Sequence, residues 1–585
     1  MSLKHKNKKN GKYGSDHKST DKMSVGSIMA ALLISFVWLF VNYYINYPAI
    51  NVQSTEFWEW LTYNSVIVTL VFIFCGIIGR RDKDGRFAES VRMNVEFFFK
   101  RKGRFQIILL FLIPICCILV IVFGNLAGAP LFHAKRYASL LTVDNRDFVT
   151  DILESENVDN IALMDTNSAR IFGDRKIGSL SDVVSQFEVE DAYTQINIDN
   201  KPMKVANLKY ADFFKYLSNK SDGIPGYITV NPVDSTAKYV KLDKGMKYVP
   251  SGYFNDKIMR HVQMNHPTKI FEGCYFEVMD DGTPCYICPV LHARIGLFGG
   301  MDVKGAVICD PVTGDMQYYD VADIPTWVDR VYDGELLEKK YNWYGKYSKG
   351  YWNSIVGQKG CVQTTDDYGY KTIEDDVWIY TGVTSVTGDA SNIGFVMINQ
   401  RTSEARYYAI SGAEEYSAMS SAAGEVQEKN YTASFPSLIN VDGNPTYIMV
   451  LVDNGGLVKM YAMVNVEQYN LVATGESQSE VFAKYRKLIK SEGIGRGRNT
   501  DEKNGTEDVT KEVSFVVKDI QYVTTGGETY VYLKDDKGNV YKQLFAEDEN
   551  IIFVSVGDEV KMTCERLEDS EIMQIIYVEI VKKGD

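Results

Sequence analysis

Cys274, Cys285, Cys288 and Cys309 fall within 36 residues of one another, and His292 lies among them. Cys285-x-x-Cys288 with these neighbours offers enough soft ligands for a tetrahedral zinc. The residues around Cys274 and Cys285 alternate as in a strand, however, and positions 285 and 288 of one strand point to opposite faces. One or two disulfides are therefore expected ahead of zinc, and plain buried thiols ahead of both. No metal or cofactor is assigned. Cys361 and Cys564 stand apart, and Cys75, Cys116 and Cys117 lie in long apolar runs, where a thiol is a small apolar filler.

Carboxylates come next. "DPVTGDMQYYDVAD" carries Asp310, Asp315, Asp320 and Asp323, and "TTDDYGYKTIEDDVWIY" carries Asp366, Asp367, Glu374, Asp375 and Asp376. A glycosidase needs two carboxyls about 5 or about 6.5–9.5 Å apart, which sequence spacing does not fix. A solvated acidic loop is the preferred reading of the second group. His261 and His266 are five apart and miss a shared helix face, so a metalloprotease motif is absent. There is no Gly-x-Ser-x-Gly elbow and no Gly-x4-Gly-Lys-Ser/Thr phosphate loop, and Ser235-x-x-Lys238 falls at a turn instead of opening a helix. No catalytic residue is assigned.

The densest aromatic stretch is 327–353, "WVDRVYDGELLEKKYNWYGKYSKGYWN". Tyr and Trp give large amphipathic contact area at small entropic cost. Trp327, Tyr341, Trp343, Tyr344, Tyr347, Tyr351 and Trp352 are therefore the candidate ligand-binding residues, for a peptide, protein or glycan. Burial between neighbouring structural units would select the same residue types and is the stronger alternative.

The elements that hold these residues start in a membrane. Three uncharged apolar runs, 27–47, about 61–79 and 105–128, each match the roughly 20 residues that cross a bilayer. Pro114 in the third is tolerated in lipid when neighbours satisfy the freed carbonyl. The tail before the first run is Lys-rich, loop 48–61 has no Lys or Arg, and 80–104 holds nine. That asymmetry puts the N-terminus in the cytoplasm and everything after 128 on the extracytoplasmic side. Of 63 basic and 76 acidic residues, 1–104 hold 16 and 8, leaving 47 against 68 beyond. Such an acidic region repels phosphate backbones, so nucleic acid is excluded as its partner. Membrane lipid is the partner of the N-terminal part, and a homo-oligomer is left open. The Lys-, Asn-, Ile- and Tyr-rich usage suits a bacterial source.

Within the acidic region a pattern recurs. "GAVICDPVTGDMQYYDV" (305–321) aligns without gaps on "GFVMINQRTSEARYYAI" (394–410) and on "GYITVNPVDSTAKYVKL" (226–242). Each copy reads as a strand, a turn built on Asp or Asn, and a second strand. Asp310 becomes Asn399 and Asn231, so a shared carboxylate site is not expected there. Helical patterns follow two copies, as "IPTWVDRVYDGELLEKKY" and "GAEEYSAMSSAAGEVQEK", and "SQSEVFAKYRKLIKSEG" follows the related "DGNPTYIMVLVDNGGLVKMYAMV". The unit resembles PepSY domains, chiefly through "VICDPVTGDMQYY" and more loosely through the other copies. That resemblance implies a helix packed on an antiparallel sheet and a role in binding or inhibiting peptidases at the envelope. After the polar 491–511, about five strands follow in 70 residues, an arrangement that looks like an OB-type β-barrel.

The expectation is an α+β protein with a basic cytoplasmic tail (1–23), three N-terminal transmembrane helices (24–128) and a membrane-proximal α/β region (129–220). Repeated antiparallel hairpin-plus-helix units (221–490), a linker (491–511) and a small C-terminal β-barrel (512–585) complete it. The expected function is binding or scaffolding at the cell envelope, without enzymatic activity. The rivals are an envelope enzyme such as a carboxylate-dependent wall hydrolase, and a channel or transporter subunit, which the absence of intramembrane charge disfavours.

Overall fold

Helices with apolar residues all round have no face suited to water, and Val25–Asn46 (α1) and most of Thr55–Ile78 (α2) are of this kind. Both are long and apolar enough to cross a membrane. The computed structural model describes residues 25–78, 101–155, 161–198, 201–387, 391–492, 510–525, 528–545, 549–566 and 572–583. The basic tail 1–23, loop 80–100 and most of the 491–511 linker lie outside them. Arg101–Ala127 (α3) contains Pro114. Its Phe111–Ala127 part and Pro130–Ala138 (α4) meet the membrane criterion only together, across a 55° bend.

The chain divides into two compact units. The first joins Met1–Ala129 to two later segments, Val262–Phe271 and His292–Met301. Asn64, fully buried on α2, ties α1 to α2: it accepts from the Trp38 indole at 2.9 Å and donates to the Asn42 side-chain oxygen at 3.0 Å. Side-chain amides commonly join apolar helices in this way. The loop between α1 and α2 is held by Pro267 and Thr268, whose carbonyls accept from Ile50 N at 2.7 Å and Asn51 Nδ2 at 2.8 Å.

The second unit is built from antiparallel sheets. The first contains Phe187–Val189, Thr194–Ile198, Lys201–Tyr210, Ile224–Asn231 and Thr236–Met246, so residues on both sides of position 220 share it. Thr166–Gly178 (α5), capped by Asp165, packs on its last two strands. The second contains Tyr275–Val278, Pro284–Ile295, Gly299–Cys309 and Met316–Asp320. In the third, Gly369–Ile373 and Val362–Thr364 both pair with one edge of Asp376–Ser385, and Gly394–Asn399 and then Ala405–Tyr408 follow on its other edge. Val143–Arg146, five residues beyond α4, joins the edge of this sheet parallel to Ala405–Tyr408. The fourth is centred on Asn444–Val452 and Val458–Asn465.

All three hairpins at 224–246, 299–320 and 394–408 turn alike. The side-chain oxygen of the first turn residue accepts from the amide two positions on: Asn231 from Val233 at 2.9 Å, Asp310 from Val312 at 2.7 Å, Asn399 from Arg401 at 2.8 Å. This is the local bond that makes Asp and Asn turn residues.

Helices follow where the patterns place them, with shifted starts and targets. Gly334–Tyr347 (α6) begins late because 324–333 runs without helix through a turn at Thr326 and Trp327, and Asp333 caps it. It packs mainly on α4 and Val362–Thr364, and Lys340 ties it to Asp302 of the sheet that precedes it. Glu415–Glu425 (α7) joins a core shared by the third and fourth sheets, where Phe395, Met397, Tyr447 and Met449 are fully buried. Gln478–Ser491 (α8) closes the fourth sheet's other face through Val481, Tyr485 and Ile489. The last six strands form one sheet around Val531, Leu533, Val560 and Met562, in the order Thr510–Val516, Glu559–Arg566, Met573–Lys582, Val540–Leu544, Glu528–Lys534, Asp519–Thr525.

Candidate functional site

The aromatic stretch is not one face. Val328, Val331 and Tyr332 are buried where 324–333 runs beside the third sheet, and Val331 and Tyr332 donate their amides to Gln400 O at 3.1 and 2.8 Å. Tyr341 is 1% exposed, and burial raises its phenol far above the usual value. Trp327, Trp343, Tyr344, Tyr347 and Tyr351 are half-buried, and Trp352 is exposed. Among these, Trp343 packs edge-on against Tyr137 of α4 at 4.9 Å. Lys340, almost fully buried, donates to Asp302 at 2.8 Å and Ser403 at 3.0 Å.

A junction of acids and bases joins the first three sheets, and the sequence did not point to its central members. Glu277, 1% exposed, accepts the amides of Arg330 at 2.8 Å and Asp329 at 3.2 Å. Asp329, 2% exposed, accepts from Asn197 N at 2.6 Å, and the Asn197 amide donates to Asp375 at 3.1 Å. Next to them Asp376 receives two guanidinium bonds from Arg401, at 2.6 and 2.8 Å, and one from Asn399 at 2.7 Å. Arg330 lies 3.8 Å from the centre of the Tyr275 ring and pairs with Asp333.

Electrostatics divide these acids. Burial pushes the Glu277 carboxyl up to about 7, against the pull of two backbone amides and Arg330. Asp329 is raised well above the usual carboxylate range, first by burial and then by Glu277 beside it. Asp376 is gripped in a bidentate pair with Arg401. A general acid needs an open approach for substrate, whereas Glu277 and Asp329 are sealed and face backbone amides. The arrangement supplies a buried polar joint between sheets. The only sequence signal for Glu277 is an acid within "YFEV", where Phe276, Glu277 and Val278 are all buried.

Two lysines lie close by, Lys204 buried and Lys371 half-buried. Burial lowers Lys204 and Lys371 to about 8; Lys371 donates to Leu438 O at 2.8 Å, and Lys204 lies 5.4 Å from the Tyr370 ring.

The clustered cysteines settle as one disulfide and two buried thiols. Cys274, just before the Tyr275–Val278 strand, is bonded to Cys288 on Pro284–Ile295, the strand paired with it. Cys285 and Cys309 are buried thiols, each donating weakly to a backbone carbonyl, of Glu277 and Asp310. Burial raises both, Cys309 to about 12, which leaves them unreactive. Among the described residues no group of three or more His, Cys, Asp or Glu is placed to hold a metal.

The acids of 310–323 are likewise committed or scattered: Asp310 binds its own turn and Asp320 accepts from Tyr318 at 2.7 Å. In the second acidic stretch, Asp367 accepts from Tyr416 at 3.2 Å. A shallow open depression of about 420 Å³ lies beside it on α7, lined by Glu414, Tyr416, Ser417, Ser420, Ser421 and Tyr469.

No protein-family model matches the chain, and no curated protein does. Among solved structures it is similar to a GH32 beta-fructofuranosidase mutant of Bombyx mori in complex with sucrose, at 8% identity and a TM-score of 0.17. That match covers 67% of this chain and 64% of the fructofuranosidase, so it spans less than two thirds of that protein. A levansucrase mutant of B. megaterium matches at 8% identity and a TM-score of 0.16, covering 74% of this chain and 99% of that one. Likenesses this slight carry no functional argument.

Proposed function

We infer that this chain is a membrane-anchored binding or scaffolding protein of a bacterial cell envelope, with its acidic bulk outside the cytoplasm. The observation that carries the reading is the way the anchor leads into the fold. Val143–Arg146 becomes an edge strand of the third sheet five residues after α4, so the apolar helices end where the folded body begins. In this reading 105–128 is a third span, the chain bends at Gly128 and Ala129 into α4, and three crossings from a basic cytoplasmic tail leave the rest outside. Two modules complete the scaffold. The shared Asn231, Asp310 and Asn399 turns support internal repetition of a PepSY-like hairpin, and α8 on the fourth sheet fits the helix-on-sheet arrangement that family implies. The C-terminal strand order supports an OB-like barrel. Its two outermost strands, Thr510–Val516 and Asp519–Thr525, are separated only by Val517 and Lys518, so one bent strand would close the sheet.

Labelling tests the orientation. With Tyr522→Cys, at a 53% exposed position, a membrane-impermeant maleimide should modify intact cells. Labelling only after permeabilisation would refute the reading. Turnover of peptidoglycan or peptide by the full-length protein, lost in Asp375→Asn and Asp376→Asn, would replace binding with hydrolysis.

A further inference from the structure

Helix α4 leaves α3 within three residues, and no acid occurs between 105 and 143. Its outward side chains are of two kinds: Leu131 and Phe132, 41% and 61% exposed, and the cations Lys135 and Arg136. A short helix of this composition at the end of a span suits the plane where lipid headgroups meet water. Helix α6 packs on α4, and from that contact a ladder of rings runs outward. Tyr347 stands edge-on to Tyr137 at 6.2 Å, Tyr351 stacks on Tyr347 at 6.4 Å, and Trp352 stands edge-on to Tyr351 at 5.7 Å.

The ladder ends in a short turn, Asn353–Gly357, set off from α6 by Gly350 at φ +90° and closed by Gln358 at φ +47°. Trp352 is 70% exposed, Ile355 56% and Val356 79%. Around them, 346–361 holds Lys346, Lys349 and Lys359 and no acid, within a region where acids outnumber bases 68 to 47. Large apolar side chains grouped on one exposed turn mark a binding surface. Tryptophan with flanking lysines is the chemistry of a membrane interface.

We propose that the Trp352–Ile355–Val356 tip and the Leu131–Phe132 face of α4 insert together into the adjacent anionic membrane surface, with the lysines on lipid phosphates. The occupant is a lipid surface because α6 rests on a helix that begins three residues from the end of α3. The inference relies on the reading of 105–128 as a span.

The full-length protein, carrying p-benzoylphenylalanine at position 352, 356, 118 or 522, would be reconstituted in phosphatidylcholine vesicles with or without phosphatidylglycerol. After irradiation, lipid adducts are read by mass. Adducts are expected at 118, inside α3, and at 352 and 356, the latter two falling several-fold without phosphatidylglycerol, and none at 522. Adducts at 118 with none at 352 and 356 would overturn the tip while sparing the span. Silence at all three would overturn both. Yields at 352 and 356 that ignore lipid charge would also overturn the proposal, as would adducts at 522 equal to those at the tip.

Discussion

The ring of Tyr407 covers Gly394 on the neighbouring strand, so closely that a Cβ at 394 would come within 2.4 Å of the phenol oxygen. That oxygen donates to Ile393 O at 3.0 Å, which fixes the ring. Tyr318 covers Gly305 and Tyr239 covers Gly226 in the same way, each thirteen residues on, and there a backbone carbonyl also stands 2.2 Å from the missing Cβ. An aromatic ring over a strand glycine replaces the packing that the glycine lacks. Alanine should therefore be worse where backbone blocks it. Gly305→Ala and Gly226→Ala are expected near the upper end of about 1–3 kcal/mol of destabilisation, and Gly394→Ala below them. Adding Tyr407→Ser should relieve Gly394→Ala but not Gly305→Ala. Thermal midpoints of the three singles and the double settle this, and equal losses at all three would refute it.

The Glu277–Asp329 joint predicts a pH dependence. Because burial favours the neutral carboxyl, the native state holds a proton that the unfolded chain releases from about pH 4.5, while Glu277 keeps it until about 7. Stability contributed by this group is full below the lower value and falls as the pH rises through the window. The fall is at most about 3 kcal/mol. Asp329→Asn keeps an acceptor for Asn197 N and removes one of the two charges. Its thermal midpoint should fall less between pH 5 and 8 than that of the parent chain, and an unchanged slope would dismiss the joint.

What the sequence made legible follows from the range of each interaction. Apolar runs declare a span by composition alone, and α1 and α2 lie close to the first two. The Asp310 turn was legible because its bonds reach only two or three residues. Glu277 and Asp329 were not, since they are 52 residues apart and their meeting depends on three sheets converging. Val143–Arg146 pairs with a strand some 260 residues later, and nothing in four polar-flanked residues announces it. The aromatic stretch was legible as unusual, but composition could not separate Tyr341 in the core from Trp352 at the tip.

Thiol counting checks the cysteine assignment. Denatured but unreduced protein should take up seven alkyl groups, and reduced protein nine, because only Cys274 and Cys288 are bonded. Cys274→Ser with Cys288→Ser opens a loop closed across 14 residues, which costs about 3 kcal/mol in the chain-entropy account. Nine alkyl groups without reductant would remove the disulfide, and five would require a second one.

Asp376 and Arg401 form a bidentate pair, both less than a quarter exposed. A lysine cannot reproduce two parallel N–H···O bonds. Arg401→Lys should therefore lower the thermal midpoint, and Asp376→Asn should cost about 1–3 kcal/mol by leaving the guanidinium short of an acceptor. If both variants unfold like the parent, the pair is not what joins the 374–376 turn to the 399–402 turn.

Trp343 and Trp352 separate the two meanings of the aromatic stretch. Trp343 is half-buried, with Tyr137 edge-on and the Lys339 ammonium 5.6 Å from its ring centre. Trp352 stands edge-on to Tyr351 and is 70% exposed. Trp343→Ala should cost about 2 kcal/mol or more through lost packing between α4 and α6. Trp352→Ala should leave the thermal midpoint of detergent-solubilised protein within about 0.5 kcal/mol equivalent of the parent, as surface changes do. Equal losses would mean that the ladder from Tyr137 to Trp352 is packed along its whole length. A loss at neither would mean that α6 does not depend on α4 for its place.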